Sequence, residues 1–141
     1  MYSSIDPSTI NGTDKNSCKI TVFGSSSPRT AKKYLDAALE LGKCIAKNNC
    51  ICVNGGGKFG VMGYLNEGCR QNKGYVIGVI HEKFVVEQED QALSQLLVCQ
   101  GNDLNERKQL LFDYGDCLIV APGGVGTLDE MWYVLYDQNY K

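Results

Sequence analysis

From residue 19 onward, short β-branched apolar runs alternate with longer stretches of helical periodicity, and this alternation restricts the fold more than any other feature. KITVFGS (19–25), ICVNGG (51–56), YVIGVI (75–80), LLVCQ (96–100) and DCLIVAP (116–122) read as strands. Residues 28–47, 60–72, 103–115 and 126–139 read as helices. In the first of these, Tyr34, Ala37, Ala38, Leu41, Cys44 and Ile45 recur at helical spacing, and Ser27 before Pro28 predicts its start. Residues 81–94 are charged and read as a loop with a helical turn. Strands separated by helices cannot pair through hairpins, so the pattern predicts an α/β fold with parallel pairing, right-handed crossovers and helices on both faces. The strands are almost wholly apolar, as strands covered on two sides should be.

The length of 141 residues suits one domain, expected over 18–141, with residues 1–17 (polar and rich in turn formers) as a flexible leader. Apolar residues make up 43% and charged residues 21%, enough of the former to build a core. A net charge of -2 favours neither nucleic acid nor a membrane surface. No apolar run reaches the ~20 residues that span a bilayer. No basic start precedes an apolar segment, so the expected location is cytoplasmic. The seven cysteines include no CxxC pair and His81 is the single histidine, so no metal site is expected. Cys50, Cys52, Cys99 and Cys117 fall in strand-like runs and are expected to be buried as small hydrophobes.

In a parallel sheet, ligands sit beyond the carboxyl ends of the strands. Three segments fall there: FGSSSP, NGGGKFG and APGGVGT. Two glycine-rich turns at one edge predict a backbone-lined anion pocket, because glycine admits close approach and the following helix offers free N–H groups. One reading is a nicotinamide dinucleotide: Gly55-x-Gly57-x-x-Gly60 lies between a strand and a helix, and Glu82 follows the next strand where a ribose-binding acid should sit. Against it, a strand and a helix precede the fingerprint, and the chain is short for both a cofactor and a substrate site.

The second glycine loop adds a resemblance. GGGKFGVMG resembles the GGGxxGLMG segment of the cytokinin-activating phosphoribohydrolases, a family also called lysine decarboxylase-like. NERK (105–108) resembles their ERK or QRK segment, and PGGVGTLDE (122–130) matches their PGGxGTxxE signature at every fixed position. The resemblance covers roughly residues 19–137. It implies a Rossmann-like three-layer α/β/α homodimer or higher homo-oligomer, with a parallel sheet of about five strands. The activity it implies is hydrolysis of the N-glycosidic bond of a nucleoside 5′-monophosphate, an N6-substituted AMP or AMP itself, to free base and ribose 5-phosphate. By motif position, Arg107 and Glu130 would be the catalytic pair. Gly123, Gly124, Gly126 and Thr127 would hold the phosphate, with Gly24, Ser25, Gly56 and Gly57 lining the pocket and Lys108 beside Arg107 at the substrate. No metal or organic cofactor is required. A non-catalytic nucleotide or cofactor carrier of the same fold is the alternative.

Plainer readings exist. Thr127-x-x-Glu130 is also a capping box, and Arg107 between Glu106 and Lys108 is also an ordinary charged helix face. The sequence departs from the family pattern in two places. His81 stands where proline usually follows the third strand, and a nucleotide-binding glutamate of the next loop is either Glu87 or Glu89. Family members commonly continue through another strand and helix, whereas this sequence ends in DQNYK, so it is either a fragment or a reduced sheet with one open edge.

Overall fold

The computed structural model describes residues 17–85, 93–101 and 104–138. The strands are β1 (Lys19–Phe23), β2 (Ile51–Asn54), β3 (Tyr75–His81), β4 (Gln95–Cys99) and β5 (Cys117–Val120). The helices are α1 (Lys32–Lys47), α2 (Gly60–Gln71), α3 (Asn105–Tyr114) and α4 (Val125–Gln138), with a 3₁₀ turn at Glu82–Phe84. The five strands pair in parallel in the order β4-β3-β2-β1-β5. The chain steps outward from β1 to β4 and then returns to the other side of β1. The crossover direction therefore reverses between β1 and β5, the kind of place where such sheets open a crevice.

Alternation along each strand builds two cores. Phe23, Val53, Val79 and Leu97 meet Leu111 of α3 and Val134 of α4. Val22, Cys52 and Val76 face the other way and meet Ile45 of α1 with Leu65 and Cys69 of α2. Each large side chain so buried is worth about 1.5–3 kcal/mol. Glycine within a helix costs about 1 kcal/mol relative to alanine, yet α1 and α2 both carry one at their crossing. A side chain on Gly42 would strike the Leu65 carbonyl, and one on Gly68 the Leu39 carbonyl. The close approach lets the Cys69 thiol donate to the Gly42 carbonyl at 3.3 Å.

Several expectations need correction. The first helix begins at Lys32, not residue 28, and Ala31 occupies its N-cap position. Ser27 closes a turn instead: its Oγ accepts from Arg29 N–H at 3.2 Å, and its carbonyl accepts from Thr30 N–H at 3.2 Å and Thr30 Oγ1 at 2.7 Å. Cys52 and Cys99 are buried, but Cys50 is half-buried and Cys117 exposed, because both sit where strands begin rather than within them. Glu87, Glu89 and residues 1–16 of the expected leader lie outside the described residues. Among the described residues no helix is long and apolar enough to cross a membrane.

Candidate active site

The carboxyl ends of β1, β2 and β5 release three loops, and Ser25 ties them together. Its N–H donates to the Pro122 carbonyl at 3.0 Å, and its carbonyl accepts from Val61 N–H at 2.7 Å. One residue thus fastens the first loop both to the APGG turn and to the start of α2. Gly60 makes this possible: its φ is +65°, and a side chain there would collide with the Ser25 carbonyl. Beneath the triple-glycine loop, buried Asn54 accepts from Gly56 N–H at 2.9 Å and donates Nδ2–H to Asn66 Oδ1 at 2.6 Å. Asn66 in turn donates to the Gly57 carbonyl at 3.4 Å.

Arg107 reaches from the first turn of α3 across the sheet edge. Nε donates to the Val79 carbonyl at 2.9 Å, Nη2 to the Gly55 carbonyl at 3.0 Å, and Nη1 to Glu130 Oε1 at 3.2 Å. The Arg107 and Glu130 side chains retain 15% and 17% exposure, so the pair is neither a solvated surface bridge nor a sealed one. Burial raises the Glu130 carboxyl above its ordinary value of 4.5; Arg107 opposes that shift and Asp129 adds to it. The capping-box alternative does not match this geometry. Helix α4 begins at Val125, which puts Thr127 inside its first turn rather than at the cap, and the Glu130 carboxylate turns to Arg107.

Above the pair lies a half-open cavity of about 280 Å³. Its polar wall is Gly24, Ser25, Ser26, Ser27, Gly124, Gly126 and Thr127, and its apolar wall is Met62, Ile80 and Phe84; Gly55, Gly57, Arg107 and Glu130 complete the lining. The first turn of α4 opens onto it, where N–H groups have no intrahelical acceptor and favour an anion.

Three expected lining residues stand elsewhere. Lys108 turns to Asp129 Oδ2 at 3.1 Å and lies over the Tyr133 ring. Gly56 packs toward Gly78 and Ile80 of β3. Gly123 lies behind the wall, against Thr127 and the Ser25 backbone. Glu82, the ribose acid of the dinucleotide reading, is exposed and not among the lining residues. Sequence reasoning missed Ser26, Ser27, Met62, Ile80 and Phe84 and gave Gly55 only to the dinucleotide reading. All but Phe84 fall in or beside recognised segments, whereas Phe84 falls in the ambiguous stretch after β3 and carried no signal. His81 is buried; its Nδ1 accepts from Lys83 N–H at 3.2 Å, which leaves Nε2–H to donate to the Gly101 carbonyl at 3.0 Å.

With the geometry in place, the comparisons can be set beside it. A family model described as the SLOG cluster4 family matches residues 17–140. The chain belongs to the SLOG cluster4 family. Among relatives of this SLOG chain, the cytokinin riboside 5′-monophosphate phosphoribohydrolase of Rhodococcoides fascians is 37% identical over 118 residues, covering 82% of this chain and 59% of that protein. The enzyme of the same name from Mycobacterium tuberculosis (strain ATCC 25618 / H37Rv) is 38% identical over 114 residues, 80% of this chain and 59% of that one. The chain thus spans less than two thirds of the length of these curated relatives. Among solved structures, the molybdenum cofactor binding protein from the phototrophic bacterium Rippkaea orientalis superposes with a TM-score of 0.77 at 25% identity, over 89% of this chain and 74% of that one. The fold that this chain shares with that neighbour accords with the five-stranded parallel sheet.

Proposed function

We propose that the protein hydrolyses the N-glycosidic bond of a nucleoside 5′-monophosphate, releasing free base and ribose 5-phosphate. The observation that carries this reading is the half-buried Arg107–Glu130 pair at the floor of a cavity whose rim is built from both glycine turns. Phosphate would rest on the first turn of α4 and on Ser25, with Gly124, Gly126 and Thr127 around it. That anchoring holds the sugar over Glu130. Cleavage of the ribosyl C–N bond builds positive charge on the sugar, which a carboxylate stabilises or relieves by activating the attacking water. Arg107, already fixed by two carbonyls, keeps Glu130 oriented and offers a donor to the departing base. Met62, Ile80 and Phe84 supply an apolar wall for that base. Two relatives named as phosphoribohydrolases support the same chemistry. No residue in this scheme needs a metal or cofactor.

The protein is further proposed to act in the cytoplasm as a homodimer or higher oligomer. The support is an apolar surface on α4, where Val125, Leu128 and Trp132 are 84%, 48% and 64% exposed, beside a β5 strand that pairs only with β1 among the described residues. The test of activity is incubation with N6-isopentenyl-AMP and with AMP, followed by assay of ribose 5-phosphate. A second reading, a carrier of a nucleotide-like cofactor, is favoured by the likeness to the Rippkaea protein. Binding without release from any nucleotide would establish the carrier and remove the hydrolase.

A further inference from the structure

Parallel pairing brings together cysteines that are far apart in sequence, at the end of the sheet opposite the cavity. Lys19 pairs with Ile51, and Ile51 N–H donates to the Cys18 carbonyl at 2.8 Å, so Cys18 and Cys50 lie side by side one step before the strands begin. On the other flank Ile20 pairs with Cys117. Side chains two apart on a strand share a face, so Cys18, Ile20 and Cys117 project the same way. Ile20, Cys50 and Ile119 pack on the core beneath α1 and α2, which identifies that face. All three thiols remain free. Among the described residues no group of three or more His, Cys, Asp or Glu is placed to hold a metal ion.

We propose that this rim is an oxidation site, in which hydrogen peroxide converts Cys18 and Cys50 into an intramolecular disulfide. Cys18 is the attacking thiol because it is exposed, whereas Cys50 is half-buried and burial raises its thiol above the ordinary value. Its sulfur attacks one peroxide oxygen; the O–O bond breaks and one water leaves, giving a sulfenic acid. The neighbouring sulfur then attacks that sulfur; the S–O bond breaks, the S–S bond forms and a second water leaves. Two thiols and one peroxide become one disulfide and two waters. Cys18 and Cys50 hold side-by-side strand positions, which fall within the Cα separation a disulfide spans, whereas Cys117, opposite Ile20, stands diagonally from Cys18 and beyond that span. The link closes a long loop of chain, which restricts the unfolded state and raises the melting temperature. Because it forms at the amino-terminal rim, it leaves the cavity untouched, and it does not depend on the proposed reaction.

The test is peroxide treatment of the full chain, alkylation of remaining thiols and mass analysis of the peptides. The expected product is a Cys18 peptide joined to the Cys50 peptide, with a raised melting temperature that returns on reduction. Cys18→Ser and Cys50→Ser each abolish both the link and the shift, while Cys117→Ser leaves both. Wild-type protein blocked beforehand with a maleimide gives the same loss without any substitution. A link between two chains, a link that forms without Cys18, or Cys18 driven to sulfinic acid with no disulfide would each overturn the proposal.

Discussion

Glu130 sits under two opposed influences, burial that disfavours its charge and Arg107 that favours it, and burial prevails. An acid with a raised folded value gives the folded state a stabilising increment below its unfolded value, near 4.5, and loses it as pH rises through the folded value. At neutral pH the ionised carboxylate is therefore a burden on folding. Glu130→Gln, which cannot ionise, is expected to leave the melting temperature unchanged or higher. The same variant should lose roughly 10²–10⁴-fold in turnover, the usual worth of a positioned acid–base group, while retaining nucleotide affinity. Differential scanning calorimetry beside ribose 5-phosphate assays checks both halves. A drop in stability with intact turnover would instead indicate a capping role. If the ionised form acts, kcat falls on the acid side with a midpoint above 4.5. Removing the cation in Arg107→Gln should push the Glu130 titration higher still, which carbon-detected NMR of the side-chain carboxyl would reveal.

Among elements, the β2–α2 unit shows how a buried polar pair shapes a loop. Asn54 and Asn66 are fully buried and satisfy each other together with two groups of the triple-glycine turn. Asn54→Ala removes the donor to Asn66 Oδ1 and leaves the buried Gly56 N–H without its acceptor, at a cost of about 1–3 kcal/mol for a buried polar group that loses its partner. Chemical denaturation should show that loss, with the midpoint lowered and the slope unchanged. The α1–α2 crossing makes a parallel case. Gly68→Val places a branched side chain against the Leu39 backbone, and proteolysis should show the helix pair loosened.

For the whole molecule, the arrangement of the sheet decides what the surface must do. Strand β5 is an outer strand whose residues are exposed or half-buried, unlike the sealed β2, and α4 beside it presents Trp132 to solvent. Trp132→Asp is expected to weaken self-association, read as a lower weight-average mass by sedimentation equilibrium, with each chain still folded by circular dichroism. An unchanged mass would move the contact elsewhere.

All five strands, the four helices and the parallel sheet were legible from local pattern, because apolar periodicity records which faces must leave water. The glycine turns were legible for a similar reason: only glycine tolerates the close approach that Gly60 makes to Ser25. Boundaries were less so. Ser27 and Pro28 carry the marks of a helix start, yet hydrogen bonds within the Ser27–Thr30 turn satisfied the local donors first. Contacts between distant segments were not legible at all. Nothing near residue 107 announces that its guanidinium meets two carbonyls and the carboxylate of residue 130. Lys108, its neighbour, turns to Asp129 instead. Cys50 reads singly as a small hydrophobe, and only register sets it beside Cys18. Periodicity and steric permission are properties of neighbours along the chain; charge pairing, burial and strand order belong to groups that only folding brings together.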